Sequence, residues 1–211
     1  IGAFFSNDGG GTGSGSTYLI NADDLAALDG ADGSTDGVIS LAQVAATGTS
    51  YEFVGEDGSD YSGYSVSSAG DVDGDGNDDL LIGAPLADDG GGNGSGSTYL
   101  INADDLAALD GADGSTDGVI SLAQVAATGT SYEFVGEDGG DNSGNSVSSA
   151  GDVDGDGNDD LLIGAYLADD GGGTNSGSSY LINAADLAAL DGADGSTDGV
   201  ISLAQVAATG T

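Results

Sequence analysis

The chain has 211 residues, 37 of them acidic and none of them Lys, Arg or His, for a formal net charge of -37, and it also lacks Cys, Met and Trp. These absences exclude disulfides, zinc–thiolate sites, thiol or lysine nucleophiles and imidazole bases. They argue equally against nucleic acid, whose phosphates call for cationic side chains, and against an anionic membrane surface. No membrane insertion is expected either, because no apolar run approaches the roughly 20 residues that span a bilayer.

The acidic groups have no side-chain cations to pair with, so their counter-ions must come from outside. Disorder is one answer to such a charge, and bound metal is the other. The order within the sequence favours metal. Residues 1–49 match 82–130 at 44 of 49 positions, 82–130 match 163–211 at 44 of 49, and 50–81 match 131–162 at 29 of 32. A constant period, here 81 residues, signals a propeller, solenoid or array in which each unit buries its apolar face on a neighbour. The chain divides into repeats 1–81 and 82–162 and a partial repeat 163–211. The first begins in mid-unit, and the last is expected to continue in further sequence or in another chain.

Taken in chain order, one period holds four short, Gly-bounded strand signals. Tyr51–Val54 is aromatic and β-branched, Tyr64–Ala69 alternates small and apolar residues, Asp79–Ala84 is a short apolar run, and Thr98–Ile101 is the fourth. Four such strands per repeat predict an all-β chain of β-propeller-type four-stranded blades in tandem. After the fourth signal comes an excursion, residues 102–129, with a copy at 21–48. Its start reads as a short helix capped by Asn102, with Leu106 and Leu109 on one face and Gly111 as its stop; a second short helix is expected at 122–127.

The strongest chemical signal is Asp71-Val72-Asp73-Gly74-Asp75-Gly76-Asn77-Asp78-Asp79, repeated at 152–160. Carboxylates at loop positions 1, 3 and 5 converge on one centre, Gly76 permits the turn, Asn77 offers its carbonyl, and Asp79 closes the shell. This oxygen-rich, flexible arrangement suits Ca²⁺ better than Mg²⁺. The loop is not an EF-hand, since Ile82 and Ile163 stand where the bidentate Glu belongs and the flanks read as strands. A solvated Asp–Gly turn is the bland alternative, and two identical copies weigh against it.

Together with Gly63-Tyr64-Ser65-Val66 and Gly83-Ala84-Pro85, this loop resembles the FG-GAP repeat, the blade unit of integrin alpha-subunit propellers and of many bacterial secreted proteins. The resemblance implies a Ca²⁺ held by the side chains of Asp71, Asp73, Asp75 and Asp79 and the carbonyl of Asn77. In the next copy Asp152, Asp154, Asp156, Asn158 and Asp160 take the same roles. Ser62 and Ser143 stand where the family has an aromatic residue, and the repeat is longer than the usual blade by the length of the excursion.

Other acidic segments read differently. Asp29–Gly37, with copies at 110–118 and 191–199, is a polar turn by default and a second Ca²⁺ loop as the alternative. Glu56-Asp57-Gly58 reads as a surface turn and Asp88–Gly92 as a hairpin tip. Carboxylates repeated at constant phase in Gly-rich turns do not give the single distinct cleft that acid–base catalysis needs, so no enzyme is expected. Calcium loops of extracellular modules bind at about 10⁻⁴–10⁻³ M, which favours an extracellular or cell-surface location. The expected role is a calcium-stabilised structural repeat protein forming or decorating a surface filament. Its expected partners are neighbouring repeats or identical chains, head to tail. An adhesin-like module that binds a protein or glycan is the alternative.

Overall fold

A computed structural model describes residues 1–169 and 173–209. Besides short 3-10 turns, among them Leu122–Thr128, the strands and α-helices in chain order are β1 (Gly2–Ala3), β2 (Ser16–Leu19), α1 (Leu25–Asp29), β3 (Tyr51–Val54), β4 (Ser65–Gly70), β5 (Asp79–Ala84), β6 (Ser97–Ile101) and α2 (Leu106–Asp110). There follow β7 (Val119–Ser121), β8 (Tyr132–Val135), β9 (Ser143–Gly151), β10 (Asp160–Ala165), β11 (Ser178–Ile182), α3 (Leu187–Asp191), β12 (Val200–Ser202) and α4 (Leu203–Thr209). The chain is mostly β and forms several sheets. Their strand orders are β1-β2-β3-β7, β4-β5-β6-β8-β12 and β9-β10-β11.

The central sheet shows how one repeat is built. β4, β5, β6 and β8 run antiparallel, and the excursion is the long link between β6 and β8. A fifth strand then departs from the four expected. β12, from the excursion of the following repeat, adds to β8 in parallel, as β7 adds to β3 in the first sheet. The excursion is therefore not purely helical. Its Val-Ile-Ser segment lies in a polar, Gly-rich stretch with no alternation to mark it, and it becomes a strand because the edge of the preceding sheet offers unpaired backbone groups.

Both faces of the central sheet are buried. The cross-strand row Leu81–Leu100–Tyr132 faces the third sheet and packs with Leu161, Ile163 and Ile182. The neighbouring row contains Ile82, Tyr99 and Glu133; Ile82 and Tyr99 pack with Phe53 of the first sheet. The excursion closes each cluster with Leu109, Leu122 and Val125, or with Leu190, Leu203 and Val206. Strands flanked on both faces need apolar residues at successive positions, which is why β5 and β6 read as runs rather than as alternation.

Successive sheets meet backbone to backbone at their inner strands. A Cβ built on Gly83 would lie 2.0 Å from Gly144 O, and one on Gly2 the same distance from Gly63 O, so glycine is required at both junctions. Ser65 Oγ donates to Gly144 O (2.7 Å) across one of these contacts.

Candidate metal centre

Each acidic loop connects the first two strands of its sheet, β4 to β5 and β9 to β10. Its carboxylates fold the loop by capping the loop's own backbone. Asp71 Oδ1 accepts from Gly74 N (2.8 Å) and Asp71 Oδ2 from Gly76 N (3.0 Å). Asp73 Oδ1 accepts from Asp75 N (3.1 Å), and Asp75 Oδ1 from Asn77 N (2.6 Å). The second loop repeats this pattern through Asp152, Asp154 and Asp156. Gly76 holds φ 96° and Gly157 φ 103°, where side chains are strained, so the tight reversal needs glycine.

This folding brings one carboxylate oxygen from each of Asp71, Asp73 and Asp75 within 4.8 Å of the others, and the same holds for Asp152, Asp154 and Asp156. Two oxygens bound to one Ca²⁺ at 2.3–2.6 Å are at most about 5 Å apart, so the spacing fits a shared ion. Three like charges this close repel one another, and the chain has no Lys, Arg or His to offset them.

The remaining sequence-derived candidates sit differently. Asp79 is buried, its Oδ2 accepting from Val72 N (3.0 Å) and its Oδ1 from Ala103 N (3.0 Å). Burial raises its pKa, and the two backbone N–H groups oppose that rise. Asp160 makes the same bonds to Val153 N (2.8 Å) and Ala184 N (3.0 Å). Both carboxylates thus tie the loop base to the start of the excursion. Asn77 donates its N–H and its side-chain amide to Asp75, and Asn158 donates its N–H to Asp156.

Three further residues belong to the centre, and sequence reasoning missed their part in it. Asn102 Nδ2 donates to Asp73, and Asn183 Nδ2 to Asp154. Asp104 lies beside Asp75, whose charge raises its pKa. Asn102 is recognisable in the sequence as a helix cap; nothing local shows that this helix start lies over a loop 29 residues earlier. The loops of successive repeats are also joined. Asp159 N donates to Asp71 O (2.9 Å), and Asp71 N donates to Asp159 Oδ2 (3.2 Å).

The Asp29–Gly37 segments behave as polar turns. Asp29 accepts from Gly37 N (2.7 Å), Asp32 from Ser34 N (2.9 Å) and Asp36 from Val38 N (3.0 Å). Glu56 and Asp89, by contrast, are more than a surface turn and a hairpin tip. They converge with Glu133, one oxygen of each lying within 4.8 Å of the others. Tyr99 OH donates to Glu56 Oε1. Burial, followed by the charges of Glu56 and Asp89, pushes the Glu133 carboxyl up to about 8.

Residues 62–101 and 143–182 match the family model of the FG-GAP repeat. The first match begins just before β4 and the second at the start of β9, and each runs through the acidic loop to the end of the third strand. Comparison with curated proteins returned no match.

Proposed function

We propose that this chain, which carries two FG-GAP repeats, is a calcium-stabilised extracellular structural protein whose blades stack into, or decorate, a surface filament. The observation that carries this reading is the convergence of three carboxylates in each of two loops on a chain without cationic side chains. Asp71, Asp73 and Asp75 would hold one Ca²⁺ and Asp152, Asp154 and Asp156 another, with the carbonyls of Asn77 and Asn158 completing the shells. Asp79 and Asp160 would serve the shell while bracing it. FG-GAP repeats are generally non-catalytic modules, and a structural role needs no catalytic group. Calcium binding and folding would be coupled, because the ion offsets repulsion that the folded loop concentrates. At cytosolic calcium the loops would stay unfilled, and they would set once outside the cell.

Head-to-tail association with a further copy of the repeat is the partner reading. Leu81 and Leu100 are 1 % and 2 % exposed where the third sheet covers them, while their counterparts Leu162 and Leu181 are 39 % and 42 % exposed. A copy seated there would extend the interface that already joins the second and third sheets. Such a heterologous contact does not close on itself, which suits a propeller ring completed by further repeats or an open filament.

The adhesin reading has one feature in its favour. Phe4, Phe5, Tyr61 and Tyr64 form an aromatic cluster with ring centroids 4.4–6.1 Å apart, and Phe5 and Tyr64 are exposed. The next repeat has Pro85, Leu86, Asn142 and Asn145 at these positions, so the patch is peculiar to one copy.

The deciding experiment is circular dichroism and sedimentation velocity during a calcium titration from EGTA. A rise in the urea midpoint of the β signal with Ca²⁺, and concentration-dependent assembly abolished by Leu162→Asp, would support the filament reading. Stability independent of calcium would overturn it.

A further inference from the structure

The Glu56–Asp89–Glu133 cluster lies at the junction of the first two sheets, away from both acidic loops. Its members come from three separate segments. Glu56 follows β3, Asp89 follows β5, and Glu133 lies on β8 in the cross-strand row of Tyr99. Glu133 is 9 % exposed, and its Oε1 is buried without a hydrogen-bond partner. An orphaned carboxylate oxygen at that depth is costly, and a native fold does not leave one without compensation. Asp89 is exposed, so the cluster is open to solvent on one side and closed by Glu133 on the other.

We propose that Glu56, Asp89 and Glu133 form a second kind of calcium site, which staples each repeat to the one before it. All three donors are carboxylate oxygens, their mutual spacing fits one hard divalent cation, and the solvent side leaves room for coordinated water. Tyr99, by donating to Glu56 Oε1, holds that carboxylate in place.

The arrangement recurs with the repeat. Glu52, the counterpart of Glu133, also has a buried Oε1 without a partner, and Asp8 and Glu52 both act on Tyr18, the counterpart of Tyr99. On the other side Tyr180 OH donates to Glu137 (2.9 Å), the counterpart of the Tyr99–Glu56 bond; Asp170, the counterpart of Asp89, lies outside the described residues. Glu56 follows β3 of the first sheet, whereas Asp89 and Glu133 belong to the central sheet, so a complete site requires two successive sheets. Each acidic loop, by contrast, joins two strands of a single sheet. Calcium would therefore act twice, once to set the loop and once to lock neighbouring sheets.

The test is equilibrium dialysis against CaCl₂ with bound ion counted by mass spectrometry, on the wild type and two variants whose fold is checked by circular dichroism. The loop variant carries Asp71→Asn and Asp152→Asn together; the other is Glu133→Gln. The loop variant should retain one calcium, and adding Glu133→Gln to it should remove that ion. Glu133→Gln alone should lower the wild-type count by one while leaving the loop ions bound. Asp89→Asn, on the solvent side, replaces Glu133→Gln should the buried substitution prevent folding, and should give the same loss. An unchanged count in the folded Glu133→Gln or Asp89→Asn chain would overturn the proposal and leave protons as the only neutralising species. A loop variant that binds no calcium would overturn it equally, while leaving the acidic loops as the calcium centres.

Discussion

Asn102 bonds to Asp73 with the same amide that starts a helix: its Nδ2 donates to the Asp73 carboxylate while its Oδ1 accepts from Asp104 N at 2.9 Å. One side chain thus links the acidic loop of a repeat to the beginning of its excursion, and Asn183 does the same for Asp154. The two halves of this link separate by mutation. Asn102→Ser keeps an oxygen able to cap the helix and removes the donor to Asp73, so it should weaken calcium binding with little change in stability in EGTA. Asn102→Ala loses both and should cost about 1 kcal/mol in EGTA as well. Calorimetric calcium titration beside urea melts of the two variants checks this, and equal calcium affinities in wild type and Asn102→Ser would refute the positioning role.

Asp79 and Asp71 should respond differently to the same change. Both Asp79 oxygens accept from backbone N–H groups, and the side chain is 2 % exposed. An amide can satisfy only one of these donors and turns its own NH₂ toward the other. Asp79→Asn should therefore cost about 1–3 kcal/mol whether or not calcium is present. Asp71, which is half-buried, also accepts two N–H groups, but these bonds are exposed to solvent, so water can replace a lost one. Asp71→Asn should leave the EGTA melt nearly unchanged and remove most of the stabilisation that calcium adds. Urea denaturation of both variants, with and without Ca²⁺, reads the contrast.

How much of this was legible in the sequence depends on the range of the cause. β3 and β5 fall on the segments expected, and β4 and β6 within one residue of them, because glycines bound each run and the strand chemistry is local. The convergence of Asp71, Asp73 and Asp75 follows from alternate spacing in a turn, also a local matter. The parallel strand Val119–Ser121 was not legible, since its partner Glu52–Val54 belongs to the preceding repeat and only the docked edge gives the segment its conformation. Glu133 was missed for a related reason. It stands in a strand whose neighbours Tyr132 and Phe134 face the third sheet, and only the cross-strand pair with Tyr99 shows that it meets Glu56 and Asp89.

Differences between copies supply a backbone prediction. Ser59 has φ 80°, and the corresponding residue of the next repeat is Gly140 at φ 95°. A Cβ on Gly140 would meet nothing within 4 Å, so the cost of a side chain there is conformational rather than steric. Ser59→Gly should stabilise the fold by about 0.5–1 kcal/mol, and Gly140→Ser should destabilise it by a similar amount. Opposite shifts in melting temperature would be the signature, and shifts of the same sign would contradict it.

The buried carboxylates set a pH dependence for the metal-free protein. Glu133 is raised from 4.5 to about 8 by burial, then by the charges of Glu56 and Asp89. Asp60 is raised from 3.8 to about 6 by burial, with Asp89, Asp57 and Asp88 adding to the effect against the Asp57 N–H bond. A carboxyl whose pKa is higher in the folded state holds its proton more tightly there. Its contribution is complete below the unfolded value and is lost as pH rises through the folded one. In EGTA, stability should therefore decline from about pH 4 to pH 8, Asp60 contributing between about pH 4 and 6 and Glu133 between about pH 4.5 and 8. At about 1.4 kcal/mol per unit, the Glu133 contribution is on the order of 5 kcal/mol. Glu133→Gln removes that titration while keeping a neutral side chain of the same shape. In EGTA its urea midpoint should match the wild type near pH 4 and exceed it at pH 8. A wild-type midpoint that stays level or rises between pH 6 and 8, or a variant that follows the wild-type decline, would show that Glu133 is already charged in the folded chain at neutral pH.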